Sequence, residues 1–334
     1  MKVAILYDGG SQEWTEADVA AVLGNVQEVR RSLRRHGHVV TLVPVYLHDL
    51  KWPARLQKFD LVFNLCEGIN GHARYEDWVL GALELTGVPF TGCRAAAVTL
   101  CHRKHVANTL LERSEVPVPP FALARRNRPP GGLRYPVIVK PSGEDASVGI
   151  DGGAVCEGPQ ALQARLATMG EHFSELLVQE YVAGREFNVG FLGGESLPLS
   201  EISFAKMPPG AWPIVSYNAK WAEGSPEYVG TEPVCPAQVD EPQARAILTV
   251  ARRAWQVLGG EGYGRVDIRV TEDGRPWVLE VNPNPDLSSD AGFARMGQAR
   301  GWDYDALVGQ VVAEALKRAP ATRPDAVPSQ RASA

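Results

Sequence analysis

Four polar side chains near the C-terminal end of the chain have the types and the spacing of a metal and phosphate site. Arg265 and Asp267 lie two residues apart in one apolar run, and Glu280 and Asn282 lie two apart in the next. Because residues two apart in a β-strand share a face, each run predicts a strand with one polar face. Carboxylate and amide oxygens suit Mg²⁺, and a guanidinium stabilises negative charge that develops on a phosphoryl group or a tetrahedral intermediate.

A turn between the two runs would bring these side chains together. Asp273 and Gly274 are a turn signal, so the runs are expected to form a hairpin or to lie as near neighbours. Apolar residues are expected on the opposite face, namely Val266, Ile268, Val270, Leu279 and Val281. A surface hairpin with a solvated polar face is the alternative, but four polar residues at matching spacing favour the site.

A lysine and a loop of small residues farther up the chain could handle phosphates. The apolar run 135–141 predicts a strand with Lys140 near its end, and the loop SGEDASVG follows at 142–149. Small residues let backbone N–H groups approach phosphate oxygens closely, and Ser147 can add a donor. The loop lacks the P-loop pattern, so an ordinary turn explains it about equally well.

Further candidates for nucleotide binding are weak when taken singly. Lys104 and Lys220 are candidate phosphate partners, although a lone lysine is usually a solvated surface charge. The strand predicted over 176–182 ends where a connection can offer backbone groups to a base edge, and Glu186 just beyond it could bind a ribose. An amphipathic edge strand explains this segment comparably well.

The order of the elements predicts an α/β protein with an α+β part that carries the candidate site. In the first third, strands alternate with helices, which favours a parallel sheet covered by helices. The strands are predicted at 3–6, 39–45 and 61–65, and the helices at about 16–35 and 75–85. The remainder is a small α+β module followed by a more β-rich part with one helix over 242–258. The expected divisions are 1–97, 98–183, 184–319 and a flexible tail at 320–334.

The composition is that of an ordinary globular protein. Of the 334 residues, 45% are hydrophobic and 22% are charged, and the net charge of −5 favours neither nucleic acid nor an anionic membrane as a partner. The five scattered cysteines include no C-x-x-C pair, which disfavours a disulfide framework or a thiolate zinc site. The start, MKVAILYDGG, lacks the length of a signal peptide, and no apolar run reaches the roughly 20 residues that span a bilayer. We expect a cytoplasmic protein.

Six segments, taken in order, resemble the ATP-grasp superfamily and, within it, the D-alanine–D-alanine ligases. They are PFTGC (89–93), RKHVANTLL (103–111), PVIVKPSGEDASVG (136–149), VQEYVAGREFNVG (178–190), YNAKW (217–221) and GRVDIRV with VLEVNPNP (264–270 and 278–285). The resemblance spans the chain to about residue 318. It implies three domains, with an N-terminal parallel-sheet pre-ATP-grasp domain and with ATP held between the central and C-terminal domains.

The resemblance also implies roles for individual residues. Those that would bind the nucleotide are Lys104, Lys140 and Lys220 at the phosphates, Ser147, Val148 and Gly149 in the loop that closes over them, Gln179, Glu180, Tyr181 and Val182 at the adenine, and Glu186 at the ribose. Those that would hold two Mg²⁺ ions, for which Mn²⁺ could substitute, are Asp267, Glu280 and Asn282. Those with implied catalytic roles are Arg265, Lys220 and Glu16.

Such enzymes phosphorylate a carboxylate, and an amine then attacks the acyl phosphate to give an amide, ADP and phosphate. A homodimer that acts on small-molecule amino-acid, carboxylate and amine substrates is implied as well. Protein groups supply mainly positioning and charge neutralisation in such a reaction.

The segments that would contact the joined substrates match less well. Glu16 falls where the ligases have a glutamate that meets the ammonium of the first amino acid. Where the ligases commonly have an HG-containing loop, residues 64–68 read NLCEG. After Asn282, the ligases have a Ser-Pro-Gly loop that ends in a serine contacting the second substrate, and Ala291 occupies that position here. ATP chemistry is therefore better supported than specificity for D-alanine.

Three functions remain in competition on the sequence alone. The first is a ligase of D-alanine–D-alanine type, and the second is a specialised ligase that joins another acid or amine. The third is a nucleotide-binding regulatory or scaffold protein without turnover. The presence of Arg265, Asp267, Glu280 and Asn282 together argues against the third, because a binder without turnover has no physical need for all four.

Overall fold

The structure, a computed structural model, describes residues 1–10, 14–124 and 128–318. These residues cluster into two compact units. One unit contains residues 1–95 and the described stretch that begins at Tyr304, and the other contains Ala96–Asp303. The predicted flexible tail at 320–334 lies outside the described residues.

Strands and helices alternate along the described chain. The strands are β1 (Lys2–Asp8), β2 (Val39–Val45), β3 (Leu61–Leu65), β4 (Phe121–Ala124), β5 (Val137–Pro141), β6 (Val155–Cys156), β7 (Leu176–Glu180), β8 (Arg185–Leu192), β9 (Glu195–Ser196), β10 (Ser200–Ser203), β11 (Glu232–Val234), β12 (Tyr263–Val270) and β13 (Pro276–Pro283). The α-helices are α1 (Glu16–Arg35), α2 (Trp52–Leu56), α3 (Glu76–Thr86), α4 (Ala95–Cys101), α5 (Lys104–Arg113), α6 (Pro159–Met169), α7 (Tyr217–Trp221), α8 (Pro226–Gly230), α9 (Glu241–Val257), α10 (Gly292–Ala299) and α11 (Tyr304–Lys317).

The first unit is built on the predicted parallel sheet, with strand order β2-β1-β3. The central strand β1 is apolar over Val3–Leu6, and all four of these residues are fully buried, as expected for a parallel strand covered on both faces. Helix α11 packs against α1, where Arg35 donates two hydrogen bonds of 2.5 and 2.6 Å to the carboxylate of Asp305. This part of the predicted fold class is confirmed.

The second unit contains two antiparallel sheets, which is the predicted α+β part. One sheet has four strands in the order β4-β7-β5-β6. The other has six strands in the order β11-β10-β8-β12-β13, with β9 paired to β8. Helix α6 covers the smaller sheet, because Leu162, Leu166 and Met169 recur at helical spacing and join the apolar core of β5 and β7.

Helix α9 supports the strands that carry the candidate metal site. Its N-terminus is capped by the side chain of Asp240, which accepts a 2.8 Å hydrogen bond from the amide of Gln243. Ile247, Ala251 and Trp255 form its buried face, and the helix packs against β12 and β13. The apolar side of this strand pair is therefore fixed, which leaves the other side for polar residues.

One strand is shorter than the sequence predicts. The run 197–204 predicts one continuous strand, but within it only Ser200–Ser203 (β10) is a strand, and Pro198 lies in the irregular segment between β9 and β10. Proline has no N–H to donate to a neighbouring strand, so pairing is interrupted at that residue. Among the described residues, no helix combines the length and apolar character that crossing a bilayer requires.

Candidate functional site

The predicted hairpin is present, and it pairs the four polar residues across two strands. β12 and β13 run antiparallel, with Arg265 opposite Asn282 and Asp267 opposite Glu280. Strand β8 lies on the other side of β12 and has Asn188 opposite Asp267. Residues directly opposite each other in adjacent strands project to the same side of the sheet, so the polar face is three strands wide at Asp267.

The alternation predicted for β13 is wrong at Leu279. The register shifts after Asp267, so Ile268 lies opposite Val278, and Leu279 has no partner residue on β12. Val278 is fully buried, whereas Leu279 is only half-buried and does not belong to the apolar face. A β-bulge of this kind adds one unpaired residue to a strand, and here it leaves Glu280 beside Asp267.

The carboxylate of Asp267 is the centre of the polar face. Arg265 donates to both of its oxygens, at 2.6 and 2.9 Å. The amides of Asn188 and Asn282 donate to it at 2.8 and 2.9 Å. Burial disfavours the charge on Arg265, but the carboxylates of Asp267 and Glu280 outweigh burial and raise the pKa of the guanidinium. Arg265 is therefore a permanent, oriented cation in the site.

Lys104, the first residue of α5, connects the hairpin to the small-residue loop at 142–149. Its ammonium lies 2.6 Å from the carbonyl oxygen of Glu144, 2.7 Å from Oδ1 of Asp145 and 3.4 Å from Oε1 of Glu280. Burial alone would lower the pKa of Lys104, but Glu280 and Asp145 outweigh it and raise that pKa. Nε2 of His102 lies 3.1 Å from the other oxygen of Asp145. Lys104 therefore stays charged at any ordinary pH.

Lys140 differs electrostatically from Lys104. It is buried near the end of β5, with its Nζ 3.3 Å from Oε1 of Gln179. Burial lowers the pKa of Lys140 and outweighs the carboxylate of Glu280, which acts to raise it, and the cation Lys104 lowers it further. An anionic ligand would restore the balance, because its charge would compensate an ammonium that the protein itself pairs only weakly.

Apart from Gly149, the predicted phosphate and metal residues line one cavity of the second unit. Its walls include Lys104, Lys140, Lys220, Arg265, Asp267, Glu280 and Asn282, together with residues 144–148 of the loop. Lys220 reaches it from the last turn of α7. Four cations thus meet four acidic residues at one place, namely Glu144 and Asp145 of the loop and Asp267 and Glu280 of the hairpin, and this composition suits a polyphosphate with a divalent cation.

The small-residue loop has the strained backbone that its composition allows. Ala146, Ser147 and Gly149 have φ angles of 54°, 61° and 73°. The hydroxyl of Ser147 donates to the carbonyl oxygen of Val215 at 2.9 Å, and the indole of Trp221 donates to that of Ala146 at 3.0 Å. Both bonds hold the loop to the segment that carries Lys220.

The predicted adenine-binding residues lie at the end of β7, although Gln179 is separated from the others. Glu180, Tyr181 and Val182 line a second cavity of about 630 Å³, whereas Gln179 contacts Lys140. The carboxylate of Glu180 accepts hydrogen bonds from Arg134, one of them 2.9 Å from Nη2. Burial would raise the pKa of Glu180, but these bonds outweigh it and lower the pKa.

Glu186 forms an ion pair with Arg269, a residue outside the set predicted from the sequence. Its Oε2 lies 2.6 Å from Nη2 of Arg269, and both side chains are buried. Asn188 and Asp145 also escaped the sequence reasoning. Arg269 and Asn188 could have been found, because each lies two residues from a named residue, Asp267 or Glu186, on the same strand face.

Glu16 is the first residue of α1 and belongs to the other compact unit, and its side chain is exposed. All the other predicted site residues belong to the second unit.

Within the described ranges, no three Asp, Glu, His or Cys side chains gather as a metal site. The oxygen donors available to a cation at the hairpin are therefore two carboxylates and one amide.

Comparison with known proteins gives the same family as the sequence resemblance. The family model for the D-ala D-ala ligase C-terminus matches residues 111–313. A D-alanine–D-alanine ligase of Alkalilimnicola ehrlichii is 31% identical over 322 residues, which is 95% of each chain. The uncharacterized protein y4sG of Sinorhizobium fredii is 32% identical over 262 residues, covering 77% of this chain and 75% of that protein.

A solved structure agrees in fold. The D-alanine–D-alanine ligase from Bacillus anthracis, complexed with ATP, matches with a TM-score of 0.74 at 19% identity, covering 95% of this chain and 98% of that one. Fold and site together define an enzyme of the ATP-grasp class. The chain belongs to the D-alanine–D-alanine ligase family and is an ATP-dependent ligase.

Proposed function

We propose that this enzyme joins the carboxylate of one amino acid to the amine of a second, with D-alanine as the leading substrate. The observation that carries the proposal is the single cavity at which Lys104, Lys140, Lys220 and Arg265 meet Asp267 and Glu280. A binder that only holds a nucleotide needs cations at the phosphates. The combination with paired carboxylates and an oriented guanidinium is what phosphoryl transfer requires.

The nucleotide is proposed to lie between the two antiparallel sheets, that is, between residues 98–183 and the described part of 184–319. Its phosphates would be bound by Lys104, Lys140 and Lys220 and covered by Ser147, Val148 and Gly149. The adenine would lie at Gln179, Glu180, Tyr181 and Val182, and the ribose at Glu186. The cavity of about 630 Å³ beside Glu180 supports this assignment.

Mg²⁺ fits the chemistry of the hairpin. Asp267, Glu280 and Asn282 supply hard oxygen donors, and Asp267 and Glu280 lie directly opposite each other. Asn282 now donates its amide nitrogen to Asp267 at 2.9 Å, so its oxygen is the atom left for a cation. When bound, Mg²⁺ or Mn²⁺ would neutralise phosphate charge. We propose these three residues as the protein's metal ligands.

The reaction proposed has two steps. A carboxylate oxygen of the first amino acid attacks the γ-phosphorus of ATP, the bond to the β-phosphate oxygen breaks, and ADP leaves. The amine of the second amino acid then attacks the acyl carbon, loses a proton, and expels phosphate with the original carboxylate oxygen. Arg265 and Lys220 would stabilise the charge that develops. Glu16 is proposed to meet the ammonium of the first amino acid.

A second candidate is a ligase that accepts a different second substrate. The observation that favours it is the loop after β13, where Asp286 accepts hydrogen bonds from the amide and hydroxyl of Ser288 at 2.8 and 2.5 Å. Ala291, which ends this loop, has no hydroxyl to offer a carboxylate. A loop that differs from that of the D-alanine–D-alanine ligases, beside a hairpin that matches theirs, would change which second substrate is accepted. The ATP-dependent joining of a carboxylate to an amine would stay the same.

Phosphate release with ATP, Mg²⁺ and a panel of D- and L-amino acids tests both candidates. Release that depends on D-alanine supports the leading proposal, and release only with other amino acids supports the second candidate. Nucleotide binding without amino-acid-dependent release under any condition would contradict both. A His-tagged Glu280→Gln preparation purified in parallel controls for contaminating ATPase.

The working assembly is proposed to be a cytoplasmic homodimer, without nucleic acid or membrane as a partner. Its substrates and ATP are small soluble molecules, and the net charge of −5 supplies no general attraction for polyanions. Light scattering on the purified protein tests the assembly, with a mass of twice 36.2 kDa expected. A single-chain mass at micromolar concentration would contradict the homodimer.

A further inference from the structure

Arg269, which has no role in the chemistry proposed above, forms a buried ion pair with Glu186, the residue proposed to bind the ribose. They are opposite each other on β12 and β8. Arg269 is 3% exposed and Glu186 is 7% exposed, and their charged atoms are 2.6 Å apart. In the part of the chain that the structure describes, Oε2 of Glu186 has this bond, and no donor contacts Oε1.

The guanidinium of Arg269 also contacts several other groups around Glu186. It donates to the carbonyl oxygen of Pro213 at 2.9 Å and lies 3.4 Å from both the hydroxyl of Tyr181 and the carbonyl oxygen of Gly184. The rings of Tyr181 and Phe204 lie 5.7 and 5.4 Å from its central carbon. The side chain is therefore held by two rings and by several oxygen atoms, and it has little freedom to turn.

Stability alone does not explain this residue. The Nε of Arg269 is buried and has no hydrogen-bond partner among the described residues. A buried ion pair seldom stabilises a fold more than apolar side chains of the same volume would, and an unpartnered buried N–H adds a further cost. An apolar residue would therefore serve the core of β12 at least as well, so the retained arginine points to a role in the site.

We propose that Arg269 is a positioning residue for the ribose of the nucleotide. By holding Oε2, it keeps the carboxylate of Glu186 in one orientation, with Oε1 left to accept hydrogen bonds from the ribose hydroxyls. The inference rests on the proposed function in one respect, the assignment of the ribose to Glu186. It adds that selectivity for a ribose over a deoxyribose depends on Arg269.

The test compares the dissociation constants of ADP and 2′,3′-dideoxy-ADP, measured by titration calorimetry with Mg²⁺ and without amino acid. We expect the protein to bind ADP about tenfold more tightly than the dideoxy compound, which is the effect of losing hydrogen bonds to a charged acceptor. Glu186→Gln and Arg269→Met are each expected to reduce this ratio to about twofold. A variant that is only less stable binds both ligands more weakly by the same factor, so the ratio of the two dissociation constants stays unchanged.

Arg185→Met is the matched control. Arg185 pairs with Glu201 through two hydrogen bonds of 2.7 Å, but its side chain is 48% exposed. Arg185 lies on β8 next to Glu186, and loss of its exposed ion pair should leave the ratio of the two dissociation constants near tenfold. If Arg269→Met does not fold, Arg269→Lys replaces it, and the ratio is then expected to fall to about threefold because one ammonium cannot make the same set of bonds.

The outcomes separate the two assignments. A ratio that falls with Glu186→Gln but persists with both Arg269 variants overturns the inference and leaves the ribose assignment intact. A wild-type ratio near one that Glu186→Gln does not change overturns the ribose assignment, and the inference with it. A ratio that falls with the Glu186 and Arg269 variants and persists with Arg185→Met supports both.

Discussion

The ammonium of Lys104 lies 3.4 Å from Oε1 of Glu280, so a lysine of α5 and a carboxylate of β13 meet across the site. The same ammonium contacts Asp145 in the small-residue loop at 2.7 Å. The part of the site that is proposed to bind phosphate and the part that is proposed to hold the cation therefore share an electrostatic contact. A change in the charge of Glu280 acts on both parts.

Glu280→Gln is expected to abolish measurable turnover while the fold remains intact. The change removes one of two carboxylates at the proposed metal position and one of the charges that balance Lys104. Loss of a single preorganised electrostatic group typically lowers kcat by about 10²–10³-fold. Steady-state phosphate release, together with a melting curve, measures both effects.

Glu195→Gln is the control for this variant, because Glu195 is 80% exposed and pairs only loosely with Arg300, at 3.7 Å. Its activity and melting temperature should stay close to those of the unaltered enzyme. Activity of Glu280→Gln within about threefold of the original would refute the metal assignment, given the size of effect expected for such a group.

Lys140 should set an alkaline limit on ATP binding. Its pKa is lowered, chiefly by burial, so its ammonium loses its proton below the ordinary lysine value of about 10.4. ATP affinity should therefore fall as the pH rises through the lowered pKa. The free protein should change in the opposite sense over that window and become more stable as the pH rises, because the unfolded chain then holds more protons than the folded one.

Lys140→Arg tests this assignment, because a guanidinium keeps its charge throughout the accessible range. The fall in ATP affinity should move to higher pH in this variant, as followed by titration of tryptophan fluorescence. Lys51→Arg, at an exposed position, should leave the pH profile unchanged. An identical alkaline fall in Lys140→Arg would assign the titration to another group.

Gly149→Ala should disturb the small-residue loop that is proposed to cover the phosphates. Gly149 has a φ of 73°, and an added Cβ would lie 2.8 Å from Cγ of Pro141. Strain of this kind costs on the order of 1–3 kcal/mol, so ATP should bind at least several-fold more weakly if the loop contacts phosphate. Gly152→Ala is the matched control, since nothing lies within 4 Å of the added atom there. Equal ATP affinity in the two variants would exclude a role for the loop conformation.

Ala291→Ser should stabilise the second unit. Ala291 is the N-cap of α10, and it provides no side-chain hydrogen bond to the helix. A serine at an N-cap contributes about 1 kcal/mol, or roughly 2–4 °C in melting temperature for a unit of this size. Ala299→Ser at the other end of α10 should give no increase. A rise in D-alanine-dependent turnover of Ala291→Ser would also show that this position contacts the second substrate.

The hairpin was predictable because its side chains obey a simple rule. Arg265, Asp267, Glu280 and Asn282 alternate with apolar residues, and the alternation of a strand is visible in the sequence. The bulge at Leu279 was not predictable, because an unpaired residue depends on how the partner strand fits and leaves no local signal. Similarly, the hydrogen bond between Asn188 and Asp267 joins strands 79 residues apart in the chain.

Short helices were also not predicted, and α7 and α8 are two examples. α7 and α8 each have only five residues, too few for an apolar repeat to be seen. Their N-caps were nevertheless readable, because Ser216 and Ser225 each accept a hydrogen bond from the backbone three residues on, and Pro226 follows Ser225. Capping signals therefore carried information where periodicity could not, and α7 is the helix that carries Lys220.

The transfer of oxygen from substrate to phosphate tests the account most directly. The enzyme is supplied with ATP, Mg²⁺ and D-alanine labelled with ¹⁸O in its carboxylate, and the released phosphate is analysed by mass spectrometry. An acyl phosphate that is attacked at carbon predicts one ¹⁸O atom in each phosphate, in equal amount to the ADP and the amide formed. Phosphate released without ¹⁸O, with no amide product, would show hydrolysis by water and would contradict the proposed ligase reaction.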